Sequence, residues 1–292
     1  MELSHTSKGV LHNASTVLND RGIEVLALQE VDRYQVRSGE IDQVAAFAES
    51  LSARDWAFAP TLIGTPGESW RSLTSEDQRI FTSKSVGAKR SKKDADIHEP
   101  SYGIGLISKI PVKQWHRCEL GRSLVGLPLL FPNPEALRTV DDLSENAEGI
   151  KTEKLSPSKS SIFKSVRFIY VRDEPRVALV AELENGYTVV VTHLSFVPFV
   201  NFFQLIKIKR WLKKLPGEKI IVGDLNLGWG LPVRGTHWRS LNVKNTYPAW
   251  DPKIQFDYIT AHIPTFGERH FTPIEIPELG MSDHLPLGVE IH

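Results

Sequence analysis

Over the first fifty residues the apolar positions change period twice. Val10, Leu11, Ala14, Val17 and Leu18 recur at helical spacing, with Thr6 or Ser7 placed to cap the start and Gly22 placed to end it. Residues 24–30, Glu-Val-Leu-Ala-Leu-Gln-Glu, form a short apolar run that predicts a buried strand. Ile41, Val44, Ala45, Ala48 and Leu51 then return to a helical stripe. The opening therefore reads helix, strand, helix. Residues 102–108 predict a strand stopped by Pro111. Residues 176–183 and 187–194 predict two strands joined by Asn185-Gly186, a strong hairpin signal because both residues tolerate the left-handed turn. Residues 199–215 read as a helix with an apolar stripe and a basic tail, and 219–223, 255–261 and 287–291 read as further strands. Strands outnumber helices, and hairpins mix with helical crossovers. That combination predicts stacked sheets flanked by helices.

Two stretches break the pattern. Residues 69–100 include a basic segment from Lys84 to Lys93 with almost no apolar positions, and they read as a long loop that buries too little surface to order itself. Residues 131–165 start acidic (Asp141, Asp142, Glu145, Glu148) and turn basic (Lys151, Lys154, Lys159, Lys164), the pattern of a solvated insertion. A substrate-facing flap is the sharper alternative. With no internal repeat and no clean linker, residues 1–292 read as a single domain carrying these two insertions.

Charge and cysteine content narrow the function classes. Thirty-five Lys and Arg balance thirty-five Asp and Glu. A protein that grips long nucleic acid mainly by neutralising phosphates shows a basic excess, so the balance weighs against a processive nuclease and leaves small phosphoesters open. The single cysteine, Cys118, rules out an intrachain disulfide and suits a reducing compartment. Nothing around Cys118 supports use as a nucleophile. No run of about 18 apolar residues occurs, so no transmembrane helix is expected. The chain reads as a cytoplasmic monomer.

Carboxylates, an amide and imidazoles gather at the ends of the expected strands. Glu30 closes an apolar run, and His193 follows Val189-Val190-Val191-Thr192. Asp224 and Asn226 follow Ile220-Ile221-Val222-Gly223, Asp257 lies in the 255–261 strand, and Asp283 and His284 precede the last one. Polar groups at strand ends can converge on one rim of a sheet. Their chemistry suits a hard cation such as Mg²⁺ or Mn²⁺, which takes oxygen ligands and keeps several waters. No Cys or His cluster has zinc spacing. Taken singly, each residue has a plainer explanation, since an Asp or Asn after a strand is usually a turn residue and a lone His is usually structural. The case for metal-assisted attack of water on a phosphate rests on their joint occurrence.

These residues lie in motifs that resemble the endonuclease/exonuclease/phosphatase superfamily, the fold shared by deoxyribonuclease I and exonuclease III. Leu28-Gln29-Glu30-Val31-Asp32, Tyr102-Gly103-Ile104-Gly105-Leu106-Ile107-Ser108, Pro175-Arg176-Val177-Ala178, Thr192-His193-Leu194, Gly223-Asp224-Leu225-Asn226, Phe256-Asp257-Tyr258-Ile259 and Ser282-Asp283-His284 all look like its signatures, in family order from about Glu24 onward. The resemblance implies a four-layer α/β sandwich of two packed mixed β-sheets with the site at one edge. It implies that Glu30 is the principal metal ligand and that Asp283 serves near the metal or as a second ligand. Asp224 would orient or deprotonate the attacking water, and Asn226 would help hold water and phosphate. His193 and His284 would stabilise the transition state, and Asp257 would orient His284. Tyr102 and Arg176 would position the scissile phosphate.

One departure stands out. The family opens with a core strand ending in an asparagine, whereas here the first helical stripe begins within about ten residues of Met1, and Asn13 falls inside that helix. The first core strand is expected to be missing, which exposes a sheet edge. If the start is truncated, an export signal could have been lost with it, and the cytoplasmic placement would then be open. The leading expectation is a metal-dependent phosphodiesterase, a nuclease ahead of a phosphatase. The alternatives are a lipid or inositol phosphoesterase and a catalytically weakened binding protein that keeps the fold. Substrate choice would lie in the loops 62–100, 120–165 and 228–252. Trp229, Trp238 and Trp250 lie in or near the third, where they could stack on a base or meet a lipid interface, though packing is the preferred reading. Lys84, Lys89, Arg90, Lys92 and Lys93 read as a solvated loop before a phosphate-binding patch.

Overall fold

The structure, a computed structural model, describes residues 8–86, 99–124, 126–132, 166–267 and 269–292. The chain divides into two compact units, Met1–Arg122 with Glu174–His292, and Ser123–Asp173. The larger unit begins with α1 (Lys8–Asp20), β1 (Val25–Arg33), α2 (Gln43–Ser50) and β2 (Asp55–Gly64). Short elements β3 (Trp70–Ser72), β4 (Phe81–Thr82) and α3 (Ser83–Val86) follow, then β5 (Ser101–Ser108) and β6 (Val112–Gly121). The smaller unit holds β7 (Leu127–Pro132) and β8 (Val166–Val171), paired antiparallel. The larger unit resumes with β9 (Arg176–Leu183), β10 (Tyr187–His193), α4 (Val200–Leu212), β11 (Glu218–Asp224) and β12 (Trp238–Ser240). It closes with β13 (Asp257–His262), α5 (Ile263–Phe266), β14 (Phe271–Ile274) and β15 (Gly288–Ile291).

The larger unit is the expected α/β sandwich. One sheet runs β1-β5-β2-β3, with β4 also on β2, and its pairs are antiparallel. The other runs β12-β13-β11-β10-β9-β6 and is mixed, because β10 and β11 pair in parallel. Strand alternation sorts the side chains into three apolar layers. Ala57, Ala59, Ile104 and Leu106 meet Val177, Leu179, Ala181, Val189 and Val191 between the sheets. On the far side of the first sheet, Trp56, Phe58, Val31 and Ile107 pack under Leu11, Ala14, Leu18, Val44 and Phe47 of α1 and α2. On the far side of the second, Ala178, Val180, Val190 and Ile221 pack under Leu205, Ile208 and Leu212 of α4. Each fully buried Leu, Ile or Val contributes roughly 1.5–3 kcal/mol by leaving water. Three such layers hold the sheet ends, and hence the polar residues on them, in fixed relation.

Several elements differ from the pattern reading. β2 and β6 carry no clear periodicity. Proline at position 60 interrupts β2 and coincides with a register shift between Pro60 and Leu62, the kind of position at which a strand tolerates proline. β6 alternates weakly, because only Val112 and Leu120 of its side chains are buried. The 69–100 stretch is not loop throughout: β3 and β4 pair with β2, and Arg71 bridges Asp77 and Glu99 at 2.6 and 3.0 Å. The rest of that stretch, 87–98, lies outside the described residues, as does 133–165 of the second expected insertion. Asp42 caps α2 by accepting from the Ala45 amide at 3.1 Å, which starts the helix two residues later than the first apolar position, Ile41.

Among the described residues β1 is an edge strand, bonded only to β5. Beside it runs a cavity of about 660 Å³, lined by Leu26, Leu28, Val222, Ile276, Met281 and Val289 among others. The expected exposed edge is therefore present as an apolar slot between β1 and the β14–β15 hairpin.

Gly223 adopts φ +135°, opposite Thr192 in the parallel ladder, and a side chain there would overlap the Thr192 carbonyl oxygen. Only glycine allows β10 and β11 to approach at the point where His193 and Asp224 emerge. Gly223→Ala is expected to destabilise the fold by about 3 kcal/mol in denaturant titration. A cost below about 1 kcal/mol would show that the ladder can yield there.

Candidate active site

Three adjacent strands deliver the central residues. His193 ends β10 directly opposite Asp224 of β11, and Asp224 stands directly opposite Asp257 of β13. The sequence puts a polar residue at the end of β10 and of β11 and at the start of the antiparallel β13, so the ladders align these residues at one sheet end. Arg176, the first residue of the neighbouring β9, reaches across so that its Nη1 lies 2.9 Å from His193 Nδ1. The guanidinium can only donate, so Nδ1 accepts and the ring proton sits on Nε2. That nitrogen faces Asp224 Oδ2 at 3.5 Å.

Glu30 arrives from the other sheet. The β1–β5 register slips between Leu28 and Val31, and Glu30 takes φ +55° at that bulge. A bulge with one residue in the left-handed region re-aims a side chain that a regular strand would direct elsewhere. The Glu30 Oε1 lies 3.6 Å from His193 Nδ1, so one imidazole stands between Glu30 and Asp224. Tyr102, opposite Asp32 on β5, is buried on the same side. Asp32 is itself gripped by Arg37 at 2.8 and 2.9 Å, which fixes β1 just past the bulge.

His284 comes from the segment before β15. Its Nδ1 sits 2.7 Å from Asp257 Oδ2, its ring lies 4.8 Å from the Tyr247 ring, and its amide donates to the Ser282 hydroxyl. Asp283 accepts at its carbonyl from the Ala249 amide at 2.7 Å, which ties this segment to the 245–252 loop. Asn226, at φ +48°, donates its side-chain amide to the Leu194 carbonyl, while its backbone amide donates to Asp224 Oδ1 at 2.8 Å.

The electrostatics divide these groups. Burial raises the Asp224 carboxyl well above the ordinary carboxylate range, Asp257 adds to the rise, and His284 with the Asn226 amide opposes it. Burial, then Arg176 and His284, pushes His193 well below its ordinary value, so it stands neutral at pH 7. Burial also pulls His284 down, but the hydrogen bond and charge of Asp257, with Asp224 and Asp283 beyond, outweigh it and hold the imidazolium up to about 9. Desolvation raises Glu30, Arg176 opposes, and the negative charges of Glu174 and Asp283 raise it further. Burial and the charges of Glu30 and Glu174 lift Tyr102 well above its ordinary value, so it stays a neutral phenol.

The structure thus brings together all nine residues singled out in the sequence. Glu30, Arg176, His193, Asp224, Asn226, Asp257 and His284 join through direct contacts or cross-strand pairing, Tyr102 stands close enough to feel Glu30 and Arg176, and Asp283 acts electrostatically on Glu30 and His284. It also adds three that the motifs did not single out. Glu174 contributes negative charge beside Glu30 and Tyr102. Asn201 donates to the Asn226 carbonyl at 2.8 Å, and the Thr246 hydroxyl accepts from the Phe256 and Asp257 amides. Only Glu174 had a sequence signal, an acid two positions before Arg176. Among the described residues no group of three His, Cys, Asp or Glu side chains is placed to hold a metal ion by itself. The acidic pair Glu30 and Asp283 is an oxygen donor set of the size a hydrated Mg²⁺ needs, since that ion keeps most of its waters.

No family model and no curated protein matches the sequence. Solved structures do match in shape. An endonuclease/exonuclease/phosphatase from Beutenbergia cavernae is 18% identical with a TM-score of 0.47 over 96% of this chain, which spans 64% of that protein. A mannosyl-6-phosphatase from Bacteroides thetaiotaomicron is 9% identical with a TM-score of 0.49, over 98% of this chain and 92% of that one. An endonuclease/exonuclease/phosphatase family protein from the same organism is 10% identical with a TM-score of 0.50, over 98% and 89%. At these identities the likeness concerns the fold, and the match at 0.50 carries it.

Proposed function

From the premise that this chain has the endonuclease/exonuclease/phosphatase fold, we propose that it is a divalent-metal-dependent phosphodiesterase. The observation that carries the reading is the ladder His193–Asp224–Asp257 on three neighbouring strands, with Glu30 facing it from the other sheet. Glu30 and Asp283 would hold a Mg²⁺ or Mn²⁺ ion, and their mutual repulsion, together with Glu174, is relieved by a cation. Such an ion offsets charge developing on the phosphoryl oxygens.

The side chains divide the remaining work. In its ionised form, which a cation at Glu30 and Asp283 would favour, Asp224 takes a proton from the attacking water, and its raised pKa makes that carboxylate a better base than a surface one. The water oxygen forms its bond to phosphorus in line with the departing ester oxygen, that P–O bond breaks, and the departing oxygen takes a proton from solvent while Asp224 returns its own to solvent. His193, neutral and fixed in one tautomer by Arg176, directs its Nε2–H at Asp224 and holds that carboxylate in register. His284 presents a positive charge at neutral pH, oriented by Asp257, to the equatorial phosphoryl oxygens. Asn226 fixes Asp224 Oδ1 through its backbone amide, and Oδ2, faced by His193 Nε2 at 3.5 Å, is the oxygen that meets the water. Arg176 and Tyr102 border the place where the phosphate would sit.

The test is hydrolysis of bis-p-nitrophenyl phosphate with Mg²⁺ or Mn²⁺, against the same protein in EDTA. Turnover that appears with metal and vanishes with EDTA is expected. EDTA-resistant turnover would remove the metal from the reading, and no turnover from folded protein under either metal would remove the hydrolase itself.

A further inference from the structure

The candidate site is flanked by exposed rings that nothing in the hydrolytic chemistry uses. Phe199, Phe202 and Phe203 stand at the start of α4 and are 77, 44 and 66% exposed, while Trp229 and Leu231 on the next loop are 79 and 39% exposed. α4 and that loop run side by side. Asn201 donates to the Asn226 carbonyl at 2.8 Å at one end, and Lys209 donates to the Pro232 carbonyl at 2.6 Å at the other. The rings therefore begin at the residue that holds Asp224. Trp250, 74% exposed, follows Ala249, whose amide binds the Asp283 carbonyl, so another exposed ring lies next in sequence to a residue tied to the site. Phe199 and Trp229 both sit on backbone with positive φ, at 67 and 55°, a conformation bulky residues rarely adopt. Of the three loop tryptophans, packing accounts only for Trp238, which is buried.

Charge identifies the partner. Residues 194–217 and 225–240 contain no Asp or Glu. Lys207, Arg210, Lys213, Lys214 and Arg234 are exposed on the same two elements. Phe203, Lys207 and Arg210 follow one stripe of α4, aromatic towards the site and basic away from it, and Lys213 and Lys214 lie in the turn just after the helix. We propose that this face is a docking surface for an anionic lipid bilayer: the rings enter the interfacial region while the basic stripe meets the headgroup charge. A single-stranded nucleic acid is the competing occupant. It fits less well, because Phe202 and Phe203 meet edge to face at 68°, which leaves no parallel pair of ring faces for a base. The neutral total charge also favours local attraction over tracking a long polyanion.

Docking does not depend on turnover, so the experiment separates the two. The protein is floated in EDTA with vesicles of phosphatidylcholine alone and with added phosphatidylserine. Flotation with the phosphatidylserine vesicles is expected, and Phe203→Ser combined with Trp229→Ser should weaken it by about tenfold or more. Lys207→Glu with Arg210→Glu should abolish the preference for the anionic lipid. Both double variants should keep wild-type melting temperature and wild-type hydrolysis of a soluble ester, since all four side chains are exposed. No flotation with either vesicle, flotation indifferent to the ring substitutions, or retention on single-stranded DNA without vesicle binding would each overturn the proposal.

Discussion

Asp224→Ala should lower the hydrolysis of bis-p-nitrophenyl phosphate by about 10³-fold while the protein stays folded. The carboxylate is buried at the end of β11 and makes one backbone hydrogen bond, to the Asn226 amide. Asp224→Asn keeps an acceptor for that amide but cannot take a proton, and a similar loss is expected. The two variants together separate loss of the base from loss of loop position. Stability supplies a second readout with a definite sign. A carboxyl whose folded pKa stands above its unfolded value binds protons more tightly when folded, so it subtracts from stability as pH rises past the unfolded value. Asp224 is such a group. Asp224→Asn should therefore match the wild type near pH 4 and become the more stable of the two as pH rises towards 8, as followed by thermal melts. A stabilised but inactive protein is the signature of a group kept for chemistry. Wild-type turnover in Asp224→Ala would end its assignment as base.

Asp257→Asn should cost between about 10² and 10⁴ in kcat, with a smaller change in KM. Asp257 touches no substrate in this reading and acts through His284, whose Nδ1 it holds at 2.7 Å. An asparagine can still accept one hydrogen bond there, but it lacks the charge that favours the imidazolium. It can also present its NH₂, which would turn the ring to the wrong tautomer. The Phe256 and Asp257 amides remain bound to Thr246, so the backbone should hold. Two-dimensional NMR of the His284 ring gives a readout that a purely structural role would not move: the Nδ1 proton signal should shift or vanish with the melting temperature preserved. Unchanged kcat in Asp257→Asn would make the pair a structural ion pair only.

The seven motifs were legible because each joins an apolar strand to a polar residue at its end, a pattern that local sequence carries in full. Register did the rest. Nothing in Val-Val-Val-Thr-His or Ile-Ile-Val-Gly-Asp states that the two runs pair in parallel with His193 opposite Asp224. Gly223 is the one hint, since a strand glycine marks a close approach. Asn201 and Thr246 escaped notice because they bind backbone groups 25 and 10–11 residues away, contacts with no periodicity. β2 escaped because burial on both faces removes the apolar–polar alternation, while its alanines, Pro60 and Thr61 break up the continuous apolar run that such burial would otherwise show. Trp229 reads as packing in the sequence because an aromatic in a polar loop is usually a core residue, and sequence does not reveal that it stands 79% exposed on a positive-φ backbone.

The position of β1 at the border of its sheet gives the cleft two unequal walls. His193, Asp224 and Asp257 stand on strands clamped by neighbours to left and right, whereas Glu30 rides on one that, among the described residues, is laced along a single side and backed by hollow space. The wall bearing the base is therefore stiff and the wall bearing the cation-holding acid is compliant.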